Sequence, residues 1–257
     1  MCGRYASSRR PEDLVEEFEI DKVEVKETLA PDYNVAPTKQ VYAVVQRSKE
    51  PAGADEDTDA PTQRQLRTLK WGLVPFWAKE PSIGNKMINA RMETVHEKPA
   101  FRRAFAARRC LLPADGYFEW YPTDQKTKAG KPLKQPFFIH PADGGVMAMA
   151  GLYEIWRDPT RDEDDPQRFL WTCTVLTTTA EDSVGHIHDR MPLLVEPDRY
   201  DAWLDPSRAD VDDLKKLLVP AAPGRLEAYP VSTAVNSVRN NGPELVDPLD
   251  AEAEPSA

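Results

Sequence analysis

No run of apolar residues in this 257-residue sequence approaches the roughly 20 needed to span a bilayer as a helix. A helical membrane protein is excluded, and a soluble chain is expected. No apolar stretch follows a basic head at the N-terminus, so no secretory signal is read there. Cysteine is scarce. Cys2, Cys110 and Cys173 cannot all pair, and none stands in a CxxC spacing. Neither a disulfide framework nor a zinc site is indicated, and a reducing, cytoplasmic setting follows. Positive net charge is missing too: 33 Lys and Arg stand against 43 Asp and Glu, for −10. Taken as a total, that speaks against a nucleic-acid binder.

The acid is not evenly spread. Residues 11–29 carry −6, residues 50–59 carry −5, residues 157–168 carry −2 and residues 243–257 carry −5. What remains carries +8, and residues 64–109 alone hold eleven bases and three acids. Acidic loops are ordinary aids to solubility. Their segregation nevertheless leaves room for one basic face that the summed charge hides.

What is present reads as one domain over residues 1–242. Loop insertions are expected at 48–63, 122–134 and 157–168, with an acidic, disordered tail over 243–257. Proline is frequent, 24 residues or about 9% against a usual value of about 5%. Strands are predicted at 41–46, 66–74, 108–113, 116–121, 136–140, 146–156, 169–178 and 191–195, which are branched or aromatic runs bounded by turn residues. Helices are predicted at 11–20, 98–108, 198–204 and 210–218. Strands outnumber helices without alternating with them. The class is therefore α+β, with a curved, barrel-like, mostly antiparallel sheet flanked by a few helices.

The chain opens MCGRY. A small second residue normally permits removal of the initiator Met, which would place an α-amine and a thiol on the one Cα of Cys2. These groups ordinarily titrate near 7.7–8.0 and 8.5. Such a pair captures an aldehyde as an imine, and attack by sulfur then closes a five-membered thiazolidine. Met-Cys-Gly also opens glutamine amidotransferases with an N-terminal Cys nucleophile, so aldehyde capture and amide hydrolysis both stand at this point.

Further motifs bear on the choice. YNVAPT (33–38) reads as a turn entering a strand. WGLVPFWAK (71–79), followed by INARMET (88–94), places Trp71, Phe76 and Trp77 among Lys70, Lys79, Lys86 and Arg91. Rings interleaved with cations suit single-stranded nucleic acid, although core aromatics beside a basic loop give the same pattern. In LLPADGYFEW (111–120), strand alternation sets Tyr117 and Glu119 against Phe118 and Trp120. Glu119 is either a solvent-facing strand residue or a carboxyl of raised pKa that shuttles protons. In HIHDRMP (186–192), His188 is an acid–base candidate. No third ligand accompanies the HxH pair, so no metal is assigned. Cys110 and Cys173 lie in apolar strand contexts and read as core.

In this order the motifs resemble the SOS-response-associated peptidase family of abasic-site processing proteins, from MCGRY through HDRMP to VSTAVNSVRNNGPEL (231–245). The resemblance implies binding of single-stranded DNA that contains an abasic site. It further implies a thiazolidine crosslink between mature Cys2 and the opened sugar, which shields the lesion. It implies Asn89 as the residue that holds the N-terminus and sugar, Glu119 as proton shuttle, and His188 as assistant in ring opening and reversal. Arg4, Trp77, Arg91 and Arg190 are implied as DNA contacts, with Pro37 and Thr177 as neighbours of the strand. Cysteine peptidase activity, mainly self-processing, is also implied. No cofactor and no membrane partner is expected, and the chain is expected to act as a monomer. The alternative is an N-terminal-Cys amidohydrolase or peptidase using Asn89 as an oxyanion donor. A single-strand binding module with an incidental Cys2 is the remaining reading.

Overall fold

The branched and aromatic runs become strands in the computed structural model, which describes residues 2–48, 61–126, 128–180 and 182–249. In chain order the strands are β1 (Tyr5–Ser7), β2 (Lys22–Glu24), β3 (Asp32–Val35), β4 (Gln40–Ser48), β5 (Thr62–Trp71), β6 (Asn89–Arg91), β7 (Arg109–Ala114), β8 (Gly116–Lys126), β9 (Pro132–Pro141), β10 (Met147–Arg157), β11 (Phe169–Thr179), β12 (Arg190–Pro192) and β13 (Leu226–Pro230). The helices are short: α1 (Pro11–Glu17), α2 (Arg102–Ala107), α3 (Asp182–Gly185), α4 (Tyr200–Leu204) and α5 (Val211–Lys215).

Five strands close into a barrel. β4 pairs with β5 and β7, β7 with β10, and β10 with β11, all antiparallel. β11 then closes the ring on β5 in parallel, through Thr172–Lys70 and Cys173–Trp71. Closure leaves no edge within the ring. β6 and β12 extend β11, and β2 extends β5. A second, antiparallel sheet runs β13–β9–β8–β1–β3. The expected α+β class with a barrel-like sheet is the one observed.

Alternation along each barrel strand divides the core in two. Val41, Ala43, Val45, Leu69, Trp71, Cys110, Leu112, Cys173 and Val175 form an inner cluster. Tyr42, Val44, Leu66, Leu111 and Leu152 form an outer one beneath the helices, with Leu14, Phe18, Phe105, Trp203 and Leu214. The second sheet joins the inner cluster through Cys2, Tyr5, Val35, Tyr117 and Ile139. Its opposite face packs Ala6, Phe118 and Phe138 on Val231, Val235 and Leu245. Cys110 and Cys173 are buried core thiols.

Several boundaries differ from the sequence reading. Residues 122–134 are not a plain loop. β8 and β9 continue there as an exposed hairpin, with Pro122 opposite Lys134 and Lys126 opposite Pro132. Backbone pairing sustains it without the apolar alternation that marks a strand in sequence. Before its turn, YNVAPT contributes the strand β3. The strand expected to reach residue 74 stops at Trp71, because Gly72 takes φ +126°. A Cβ there would lie 2.7 Å from the Gly84 carbonyl oxygen, so this close crossing needs glycine. β12 ends at Pro192, and α2 spans 102–107 where 98–108 was expected. Residues 243–249 carry a 3-10 turn that buries Leu245, while residues 250–257 and 49–60 lie outside the described residues. No helix among the described residues is long and apolar enough to cross a membrane.

Candidate active site around Cys2

β1 carries the N-terminal segment onto the barrel, so that Cys2 is fully buried, with Tyr5, Trp71 and Tyr117 in the same cluster. Asn89 opens β6, which lies parallel to β11 with Asn89 opposite Val175. Its amide nitrogen donates to the Cys2 carbonyl oxygen at 2.7 Å. Two contacts fix that placement. Val175 donates its backbone N–H to the Ile88 carbonyl at 3.0 Å, and the Trp71 indole N–H donates to the same oxygen at 2.9 Å. Trp71 also meets Tyr5 edge-on, with ring centroids 5.1 Å apart. The Asn89 side-chain oxygen is buried and has no hydrogen-bond partner among the described residues.

Glu119 lies in β8 and is 4% exposed, so the solvent-facing alternative is excluded. Tyr117, of the same parity, joins the Cys2 cluster, while Phe118 joins the opposite one and Trp120 packs against it. Burial raises the Glu119 carboxyl above its ordinary range, and the charge of His188 opposes that rise. Burial drives the Cys2 thiol far above the usual thiol range, and the Glu119 carboxylate adds to the effect. Cys2, Glu119 and His188 therefore form one electrostatic unit. The thiol is also not the partly ionised group that its ordinary pKa suggests. In place it is a buried thiol whose ionisation both burial and the neighbouring carboxylate disfavour.

His188 stands at the turn before β12. Its Nδ1 accepts the Arg190 backbone N–H at 2.9 Å and also lies 2.9 Å from Asp189 Oδ1.

Arg190 forks onto Glu93 at 2.6 and 3.0 Å and donates to the backbone oxygen of buried Thr177 at 2.6 Å. Hydrogen bonds from Arg190 hold the Glu93 carboxyl below its ordinary value. Thr177 stands opposite Arg91 across β11 and β6. Asn89, Arg91, Thr177 and Arg190 are thereby gathered at one end of β11. Trp77 is 49% exposed and lines a cleft of about 450 Å³ with Met87, Asn89, Arg91, Lys98 and Phe101. Phe76 beside it is 48% exposed, with the Arg103 guanidinium 4.3 Å above its ring. The interleaved rings and cations read from the sequence thus divide: Trp71 is core, while Phe76 and Trp77 face solvent.

Arg4 and Pro37 are placed differently. Arg4 binds Asn34 Oδ1 at 2.6 Å and the Val235 carbonyl at 2.9 Å, with its guanidinium over Trp120. It ties β3 to the turn at 233–236. Pro37 is half-buried in the turn between β3 and β4, and neither residue lines the cleft. Lys98, Phe101, Glu93 and the positioning contact of Trp71 were not singled out from sequence. Lys98 and Phe101 fall within a stretch whose pattern predicts a helix, and an ion-pair partner such as Glu93 leaves no local mark. Among the described residues, no three His, Cys, Asp or Glu side chains gather as a metal site.

Comparison with known proteins bears on this arrangement. The abasic site processing protein YoqW of Bacillus subtilis is 39% identical over 96% of this chain and 99% of its own. The abasic site processing protein YedK of Escherichia coli is 33% identical over 97% of this chain and 100% of its own. A crystal structure of a Bacteroides thetaiotaomicron protein shares the fold, with a TM-score of 0.74 at 24% identity, over 96% of this chain and 99% of that one. The model of the SOS response associated peptidase (SRAP) family matches residues 1–238. With that match and relatives spanned almost end to end, the chain belongs to the SOS response associated peptidase family.

Proposed function

We propose that this protein processes abasic sites in single-stranded DNA and holds the lesion as a covalent adduct of Cys2. The observation that carries the reading is the Asn89 hydrogen bond to the Cys2 carbonyl, with Glu119 acting on the thiol and His188 acting in turn on Glu119.

In this reading, loss of Met1 leaves the α-amine on Cys2. His188 assists opening of the lesion sugar to its aldehyde by exchanging a proton at the ring oxygen. The amine nitrogen attacks the aldehyde carbon, and the carbonyl oxygen leaves as water, giving an imine. The Cys2 sulfur then bonds to the imine carbon. The thiol proton passes to the nitrogen through Glu119, whose raised carboxyl suits exchange in both directions. Amine and thiol share one carbon, so ring closure gains the effective concentration of an intramolecular step. Asn89 fixes the residue that bears both nucleophiles. Trp77 stacks a flanking base, Arg91 and Arg190 meet phosphates, and Arg4, Pro37 and Thr177 border the strand. The protein acts as a monomer.

The amidohydrolase alternative required Asn89 as an oxyanion donor. Its amide is spent on Cys2's own carbonyl, which favours crosslinking. The test is a denaturing gel of protein mixed with abasic single-stranded DNA. A stable adduct is expected, absent with Cys2→Ala and absent when an N-terminal extension blocks loss of Met1. An adduct that survives in either variant overturns the reading.

A further inference from the structure

The cleft beside Cys2 opens at one end of the barrel, and a separate set of cations occupies the other. β11 carries Thr177 to the first end and Trp171 to the second. The six residue steps from one to the other, at about 3.3 Å each, separate the two by roughly 20 Å. Trp171 has the inward parity of Cys173 and Val175 but sits at the barrel's mouth, half-buried. Tyr153 stacks on it, with centroids 5.7 Å apart and planes 6° from parallel. Over the same indole lie two guanidiniums, Arg67 at 4.4 Å and Arg47 at 5.0 Å.

Arg47 and Arg67 reach this indole from the neighbouring strands β4 and β5. Burial and Arg47 both lower the Arg67 pKa. Among the described residues, neither makes an ion pair within 4.0 Å. Arg67 donates to Gln65 at 2.8 Å, and Glu24, the carboxylate that acts on it, is bonded to Lys22. Two half-buried guanidiniums are held together without a bonded carboxylate among the described residues, and a guanidinium fork matches phosphate. The indole restricts both side chains, so less conformational entropy is lost when an anion arrives.

We propose that Arg47 and Arg67, braced on Trp171, form a second phosphate-binding site at the barrel mouth remote from Cys2. The group bound is a phosphate, supplied either by a nucleic-acid backbone leaving the Cys2 cleft or by a free phosphate ligand. This site does not depend on adduct chemistry, so its test and the crosslinking test fail separately.

The experiment follows the Trp171 indole N–H resonance, assigned by its loss in Trp171→Phe, in the full-length protein. Inorganic phosphate and intact single-stranded DNA are added in separate titrations. A saturable shift in at least one titration is expected, lost in the Arg47→Gln/Arg67→Gln double variant and retained in Arg47→Lys/Arg67→Lys. If DNA is the source, its titration shifts the resonance, and the double Gln variant lowers the salt slope of DNA binding by up to about 1.4, two phosphate contacts at about 0.7 each. If a free ligand is the source, phosphate alone moves the resonance and the slope stays unchanged. The proposal is overturned if neither titration moves Trp171, or if the double Gln variant responds like wild type.

Discussion

Glu119 is buried where its ionised form is disfavoured, and that fixes the sign of a pH effect. Its folded pKa lies above the ordinary value of 4.5. As pH rises through the interval between the two, the unfolded chain has released the proton that the folded one still holds. Stability therefore falls across that window. Glu119→Gln, which cannot ionise, escapes this loss. Its melting temperature relative to wild type is expected to rise as pH goes from about 4.5 toward neutrality, and a relative fall over that range in thermal scans contradicts the assignment. The same variant is expected to slow adduct formation by about 10²-fold or more, the usual contribution of a positioned proton-transfer group. Single-turnover crosslinking at saturating DNA measures it. Cys2, Glu119 and His188 were legible in the sequence because a second-position Cys, a carboxylate between two aromatics and a His before an Arg each carry local chemistry. The protonated state of the thiol was not, since it comes from β1 being packed onto the barrel.

At the scale of elements, the placement of Asn89 depends on the crossing of Gly72 with Gly84 and on the bond from the Trp71 indole to Ile88. Trp71→Phe keeps most of the buried ring but removes one of the two donors to the Ile88 carbonyl, at a cost of about 0.5–1.5 kcal/mol. Chemical denaturation should show that loss. The crosslinking rate should fall while affinity for intact DNA holds. An unchanged rate contradicts the positioning role. The long barrel strands were readable because apolar alternation and bounding turn residues reinforce each other. β1, β2, β6 and the outer half of the β8–β9 hairpin were not. They are short or polar, and what makes them strands is a neighbour's backbone rather than their own pattern. The strand expected through residue 74 ended early because the approach of Gly84, distant in sequence, sets the conformation of Gly72.

For the molecule as a whole, the net charge of −10 describes its surface poorly. The basic stretch supplies Arg91 and Lys98 to the cleft, with Arg103 over Phe76 nearby. Capture of DNA should therefore weaken as salt rises, with a log–log slope of about 0.7 per phosphate contact. A flat response in filter binding contradicts the basic-cleft account. The covalent claim is tested most directly by intact mass spectrometry after incubation with abasic single-stranded DNA. The expected species equals the chain without Met1 plus the oligonucleotide minus one water, and is absent from Cys2→Ala. No such species with wild type, or the same adduct from Cys2→Ala or from protein retaining Met1, would contradict it.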